Sequence, residues 1–152
     1  MAGASIYIDV DDKRVLASLR HAATQLDGSG LTDLLERIGN RLLNSTRERA
    51  ERQVGPDGIP WMALSDKYAK TKAGKRPGKR ILEFDGHLLG DRLTTQVVGN
   101  ELLIGTFAPY AATHQFGRGP IPARPYLGLS PEDVADVDET VRLHLRDAFD
   151  AG

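Results

Sequence analysis

Apolar positions recur every three to four residues in two stretches near the N-terminus and one at the C-terminus. In one short stretch between them the pattern changes to that of a strand pair. Val15, Leu16, Leu19, Ala22, Ala23 and Leu26 share one helical face. Asp11 or Asp12 can cap that helix near Lys13, and the D-G-S-G run at 27–30 ends it. Leu31, Leu34, Leu35, Ile38, Leu42 and Leu43 form the stripe of a longer helix, opened by Gly30 or Thr32 and running toward Gln53, about six turns. At the other end, Ser130-Pro131-Glu132-Asp133 reads as a helix start: serine caps, proline takes the first helical position, and Asp133 faces the positive end of the helix dipole. Val134, Val137, Val141, Leu145, Ala148 and Phe149 give this helix its stripe to about Asp150, under an acidic outer face. Residues 93–98 and 101–106 make a hairpin: Thr94, Thr95, Val97 and Val98 are strand formers, and Gly99-Asn100 can take the positive φ of a tight turn. A weak alternation over 5–10 suggests one more short strand. Helices at both ends of the chain around a small antiparallel sheet make the expected class α+β.

The remaining stretches are irregular. Pro56-Asp57-Gly58 is strong turn chemistry, and Trp61, the single tryptophan, is expected to anchor that turn to the core, with an interface contact as the alternative. Ser65 or Asp66 can cap a short helix through Thr71, and residues 73–78 read as a mobile loop. Asp85-Gly86 marks a turn or the cap of a short helix carrying Leu88, Leu89 and Leu93. The densest stretch is 110–129, Y-A-A-T-H-Q-F-G-R-G-P-I-P-A-R-P-Y-L-G-L. Ala111, Ala112 and Phe116 can line a short helical face, which Gly117, Gly119 and Pro120 then break. Pro122 and Pro125 hold the following residues extended, as suits a sheet edge. Arg124, flanked by Ala123 and Pro125, looks like a buried or interface ion-pair former.

Composition narrows the options. A chain of 152 residues is one domain, 1–152, able to bury a core without staples. No cysteine is present, so there is neither a disulfide framework nor a thiolate metal site. Neither a signal peptide nor a membrane-length apolar run is expected. The net charge of -1 argues against a protein that coats nucleic acid, but the charge is uneven. Lys67, Lys70, Lys72, Lys75, Arg76, Lys79 and Arg80 form a basic run with no acid among them, read as a long mobile basic loop over 66–80. Residues 132–150 hold seven acids against two arginines. The second helix is rich in arginine, which i,i+4 pairs such as Glu48 with Arg52 can explain. Of the histidines His21, His87, His114 and His144, none has a partner at metal-ligand spacing, and no G-x-S-x-G, H-E-x-x-H, P-loop or EF-hand pattern is present. His114 is expected to fix its turn by bonding to nearby backbone rather than to catalyse.

The central stretch resembles the signature of the phage virion-morphogenesis (tail-completion) family, roughly Y-A-x-x-H-Q-F-G followed by I-P-A-R-P-[FY]-L-G-L-S. Here it stands as Tyr110-Ala111-Ala112-Thr113-His114-Gln115-Phe116-Gly117 and Ile121-Pro122-Ala123-Arg124-Pro125-Tyr126-Leu127-Gly128-Leu129-Ser130. The run at 55–65 resembles the family's P-D-G-x-x-W-x-x-L-S. The run at 81–88 resembles its I-L-x-x-[TS]-G-x-L, with Asp85 in place of the hydroxyl residue, and 98–106 resembles its v-x-V-G-[TS] element. The likeness covers about 31–149.

The resemblance implies a structural protein of a contractile-tailed phage or prophage, needed to complete the tail or join it to the head. It implies no catalysis and no cofactor. Its expected partners are other tail and neck proteins and further copies of itself in a ring, such as a hexamer. Its expected location is the virion, after assembly in the bacterial host cytoplasm. The charge asymmetry suggests that the basic loop meets the acidic C-terminal helix of a neighbour, with Trp61, Phe116 and Tyr126 as apolar anchors and His114 and Arg124 nearby. A nucleic-acid module using the same basic loop and the arginine-rich helix is the alternative, and would show steep salt dependence. A small hydrolase built on His114 ranks third.

Overall fold

The computed structural model describes residues 12–75, 93–106 and 111–150. In order they form α1 (Lys13–Gln25), α2 (Gly28–Arg52), α3 (Asp66–Lys75), β1 (Leu93–Val98), β2 (Glu101–Thr106), α4 (Ala111–Phe116) and α5 (Pro131–Asp150). This is the expected α+β arrangement, with helices at both ends of the described chain and a two-stranded antiparallel sheet between them. The expected strand at 5–10, the basic residues at 76–80 and the motif at 81–88 lie outside the described residues.

Caps decide where the first helices meet. The Asp12 carboxylate accepts from Val15 N at 3.0 Å and starts α1. Asp27 does the same for α2, accepting from Gly30 N at 2.7 Å and from the Ser29 hydroxyl at 2.9 Å. So α2 begins at Gly28, earlier than Gly30 or Thr32, and the D-G-S-G run opens the second helix rather than merely closing the first. Those bonds to the charged form hold the Asp27 carboxyl below the usual aspartate range. Gln53 ends α2 in the left-handed conformation, at φ 56°.

The hairpin has the expected register, from Leu93 opposite Thr106 to Val98 opposite Glu101. Gly99 alone supplies the positive φ of its turn. It lies on α2 at Gly39, where an added Cβ would meet Leu102 at 3.0 Å and Thr95 at 3.3 Å. A side chain there would push sheet and helix apart.

Two buried clusters result. Ala22, Leu34, Ile38, Val137, Val141 and Leu145 join α1, α2 and α5. Ala50, Trp61, Leu93, Ala111, Tyr126 and Leu127 gather at the far end of α2. Ion pairs flank the first cluster: Arg14 with Asp138 at 3.2 Å, and Arg41 with Asp136. The first ties α5 to α1 and the second ties it to α2.

Three expectations need correction. Helix α3 runs to Lys75, past Thr71, so residues 66–75 are helix and not loop; the Ser65 hydroxyl accepts from Tyr68 N at its start. The buried face of α4 is Ala111 and Gln115, while Ala112 and Phe116 are exposed. Among the described residues no strand pairs with the extended run after Ile121; the Gln115 side chain takes the N–H groups of Tyr126 and Leu127, and His114 O takes that of Arg124.

Candidate functional site

The residues of the dense central stretch converge on the second cluster. Gln115 leaves α4 and acts as a one-residue strand. Its Oε1 accepts from Tyr126 N at 3.0 Å and Leu127 N at 3.1 Å, and its Nε2 donates to Leu127 O at 3.2 Å. An amide side chain carries the donor and acceptors of a peptide group, so it bonds this run as a strand residue would. Tyr126 is 1% exposed, and its hydroxyl donates to Ala111 O at 3.3 Å. Gly117 turns the chain at φ 79°, and an added Cβ would meet Ala123 N at 2.9 Å and Ile121 O at 3.0 Å, so neither the dihedral nor the space admits a side chain.

Two arginines fasten this segment to the rest of the chain. Arg124 is buried, as one of its expected readings had it, and it holds backbone: its Nε donates to Met62 O at 2.7 Å and its Nη2 to Ala63 O at 3.0 Å. Its own N–H donates to His114 O at 2.7 Å. One residue thus ties the tryptophan turn, α4 and the extended run together, and burial lowers its guanidinium pKa. Trp61 adds a parallel tie, its Nε1 donating to Pro125 O at 2.7 Å.

Arg49 was not foreseen. It is 3% exposed, donates to Asp133 Oδ2 at 2.7 Å, and also reaches the carbonyls of Tyr126 at 3.1 Å and Gly128 at 3.2 Å. Ser45 donates to the other oxygen of Asp133. Asp133 and Ser130 cap each other reciprocally, each backbone N–H donating to the other's side chain at 3.0 Å. Asp133 is therefore more than a dipole partner: it links α5, α2 and the extended run. Its signal in the sequence is phase. Arg49 continues the stripe of Leu35, Ile38, Leu42 and Thr46, and Asp133 lies one turn before Val137.

The other sequence candidates separate into buried and exposed groups. Trp61 and Tyr126 are buried, whereas Phe116 is 63% exposed. His114 is half-buried, and burial, then Arg124 and Lys72, lower its pKa below 6.5. On α3, Lys67 and Lys70 are exposed and Lys72 is buried. Lys75 closes that helix, and Arg76, Lys79 and Arg80 lie outside the described residues. The acidic face of α5 is largely used within the chain, since Asp133, Asp136 and Asp138 meet Arg49, Arg41 and Arg14. Among the described residues no group of His, Asp and Glu could hold a metal ion, and no described helix is long and apolar enough to cross a membrane.

The model of the phage virion morphogenesis family matches residues 10–146. The chain belongs to that family. Its relatives include the putative capsid assembly protein G of Escherichia phage Mu, 37% identical over 112 residues, which cover 66% of this chain and 70% of that protein. The Mu-like prophage FluMu G protein 2 of Haemophilus influenzae is 34% identical over 116 residues, 67% of this chain and 82% of that one. The tail completion protein S of Escherichia phage P2 is 28% identical over 144 residues, 88% of this chain and 96% of that one. No solved structure matches the chain significantly. The family signature at 110–130 thus has a physical content here: Gln115, Gly117, Arg124 and Tyr126 build one locked end of the domain, and Phe116 and Ile121 project from it.

Proposed function

We propose that this protein is a structural component of a phage or prophage tail, needed to complete the tail and join it to the head, and that it works by assembly rather than catalysis. The observation that carries this reading is the family match along almost the whole chain, including a relative named for tail completion. The locked end supports it. The charged side chain of the signature, Arg124, is turned to holding backbone, while the large apolar side chains of Phe116 and Ile121 are exposed. That is how a rigid docking surface is built. In this reading the protein acts in the virion at the tail end or neck, after synthesis in the host cytoplasm, beside other tail and neck proteins and further copies arranged in a ring.

Electron microscopy of particles made without this gene tests the reading. Filled heads beside separate or unfinished tails are the expected result. Normal joined virions would overturn it.

A further inference from the structure

Among the described residues the sheet has two strands, so β2 has one strand neighbour, β1. One face of this pair rests on α2. Gly39 lies against Leu102 and Thr95, and the register with the alternation of a strand puts Leu93, Val97, Ile104 and Thr106 on the same side. Leu93 and Thr106 close that row, each 2% exposed. The opposite row carries the exposed Gln96, Val98 and Glu101. The two strands differ in what lies beneath them. Leu102 of β2 packs against the first buried cluster, on which Val15 and Leu19 of α1 also pack. Leu93 of β1 belongs to the second cluster, at the far end of α2. The chain therefore enters α1, at its Asp12 cap, beside the same cluster that supports β2.

Immediately before that cap stands the segment 5–10, S-I-Y-I-D-V, which lies outside the described residues. It is apolar at Ile6, Ile8 and Val10, with Ser5, Tyr7 and Asp9 between. It has the six residues of β2, about 20 Å when extended at about 3.3 Å per residue. We infer that residues 5–10 add to the outer edge of β2 in the same chain as a third strand, Ile6, Ile8 and Val10 lengthening the row that faces the helices. The alternation selects the face, because a slip of one residue would turn Asp9 and Tyr7 inward and the three aliphatic side chains out. The occupant is the chain's own segment. Asp11 alone separates Val10 from the Asp12 cap, so the strand is tethered close to the edge at an effective concentration that a second copy would have to exceed. A half-apolar edge left open is a template for pairing with any other strand, and this one is covered from within, which leaves assembly to other surfaces.

Nuclear magnetic resonance of the isotope-labelled full chain tests this. Cross-strand proton contacts are expected between 5–10 and 101–106, with slow amide exchange on alternate residues of 5–10. In a mixture of labelled and unlabelled chains the same contacts should be absent between copies. Ile6→Asp with Ile8→Asp should abolish them and speed amide exchange in β2 about tenfold or more, while circular dichroism shows the helices retained. Tyr7→Ser, on the outer row, should leave both readings as in wild type. No contact between the segment and β2 in the wild-type chain, contacts with β1 instead, or contacts only between copies would overturn the inference. So would a loss for Tyr7→Ser equal to that for the isoleucine pair.

Discussion

Between α1, α2 and α5 the buried contacts are aliphatic, and the charged pairs lie outside them: Arg14 and Asp138 are 59% and 44% exposed. At the far end of α2 the order is reversed. Arg49 and Asp133 are 3% and 5% exposed at their side chains, and Arg124, Gln115 and Ser130 are buried around Tyr126 and Trp61. The first region is made stable by removing apolar surface from water and tolerates imprecision. The second must satisfy many buried polar atoms at once, which fixes a single geometry but leaves each partner costly to lose. A surface that another protein must recognise benefits from that rigidity, and the exposed Phe116 and Ile121 stand on this second region.

The sharpest break in that contrast is Arg49→Met. It leaves Asp133 buried without its cation and two carbonyls without a donor, so unfolding stability should fall by about 4 kcal/mol in a urea titration. Adding Asp133→Asn should recover part of the loss. Exposed Arg14→Ala should cost less than about 1 kcal/mol by the same measurement, because its pair is solvated. Equal losses for Arg49→Met and Arg14→Ala would erase the distinction between the regions.

Leu34→Ala probes the other region. Leu34 is fully buried, and truncation should cost about 3 kcal/mol through lost transfer energy and the cavity left behind. It should lower the helical signal and the fluorescence of Trp61 together. Gln115→Leu should cost about 2 kcal/mol, since two backbone N–H groups lose their acceptor. Here the fluorescence of Trp61, the single tryptophan, should change at lower urea than the helical signal, as the locked end opens first. Coincident transitions for Gln115→Leu would mean that the two clusters unfold as one.

How much of this could be read from the sequence follows the same division. The apolar stripes, the Asp12 and Ser130 caps and the hairpin are local signals, each within a few residues, and they predict α1, α5, β1 and β2 closely. The locked end depends on partners far apart in the chain. Arg124 finds the carbonyls of Met62 and Ala63, and Arg49 finds Asp133; no local pattern states that a cation will be used to hold carbonyls. Residue type alone groups Arg49 with the other arginines of α2, and its phase on the helix is the better guide. The family signature contains Gln115 without saying that its side chain stands in for a strand.

The smallest expected effect lies at His114, on the boundary between locked interior and exposed surface. Burial and the neighbouring Arg124 and Lys72 lower its pKa from 6.5, so the folded protein binds fewer protons there than the unfolded chain does. The stability that its neutral form contributes is therefore complete above about pH 6.5 and is lost as pH falls through the lower folded value. Asp27, Asp136 and Asp138, also lowered from 3.8, lose their contribution only in more acidic solution, so the two windows separate. Urea titrations between pH 7.5 and 5 should show a modest decline for wild type that His114→Gln flattens. Because Arg124 N donates to His114 O, the decline should show first in the fluorescence of Trp61. A decline that persists unchanged in His114→Gln would place the titrating group elsewhere and leave the locked end insensitive to pH.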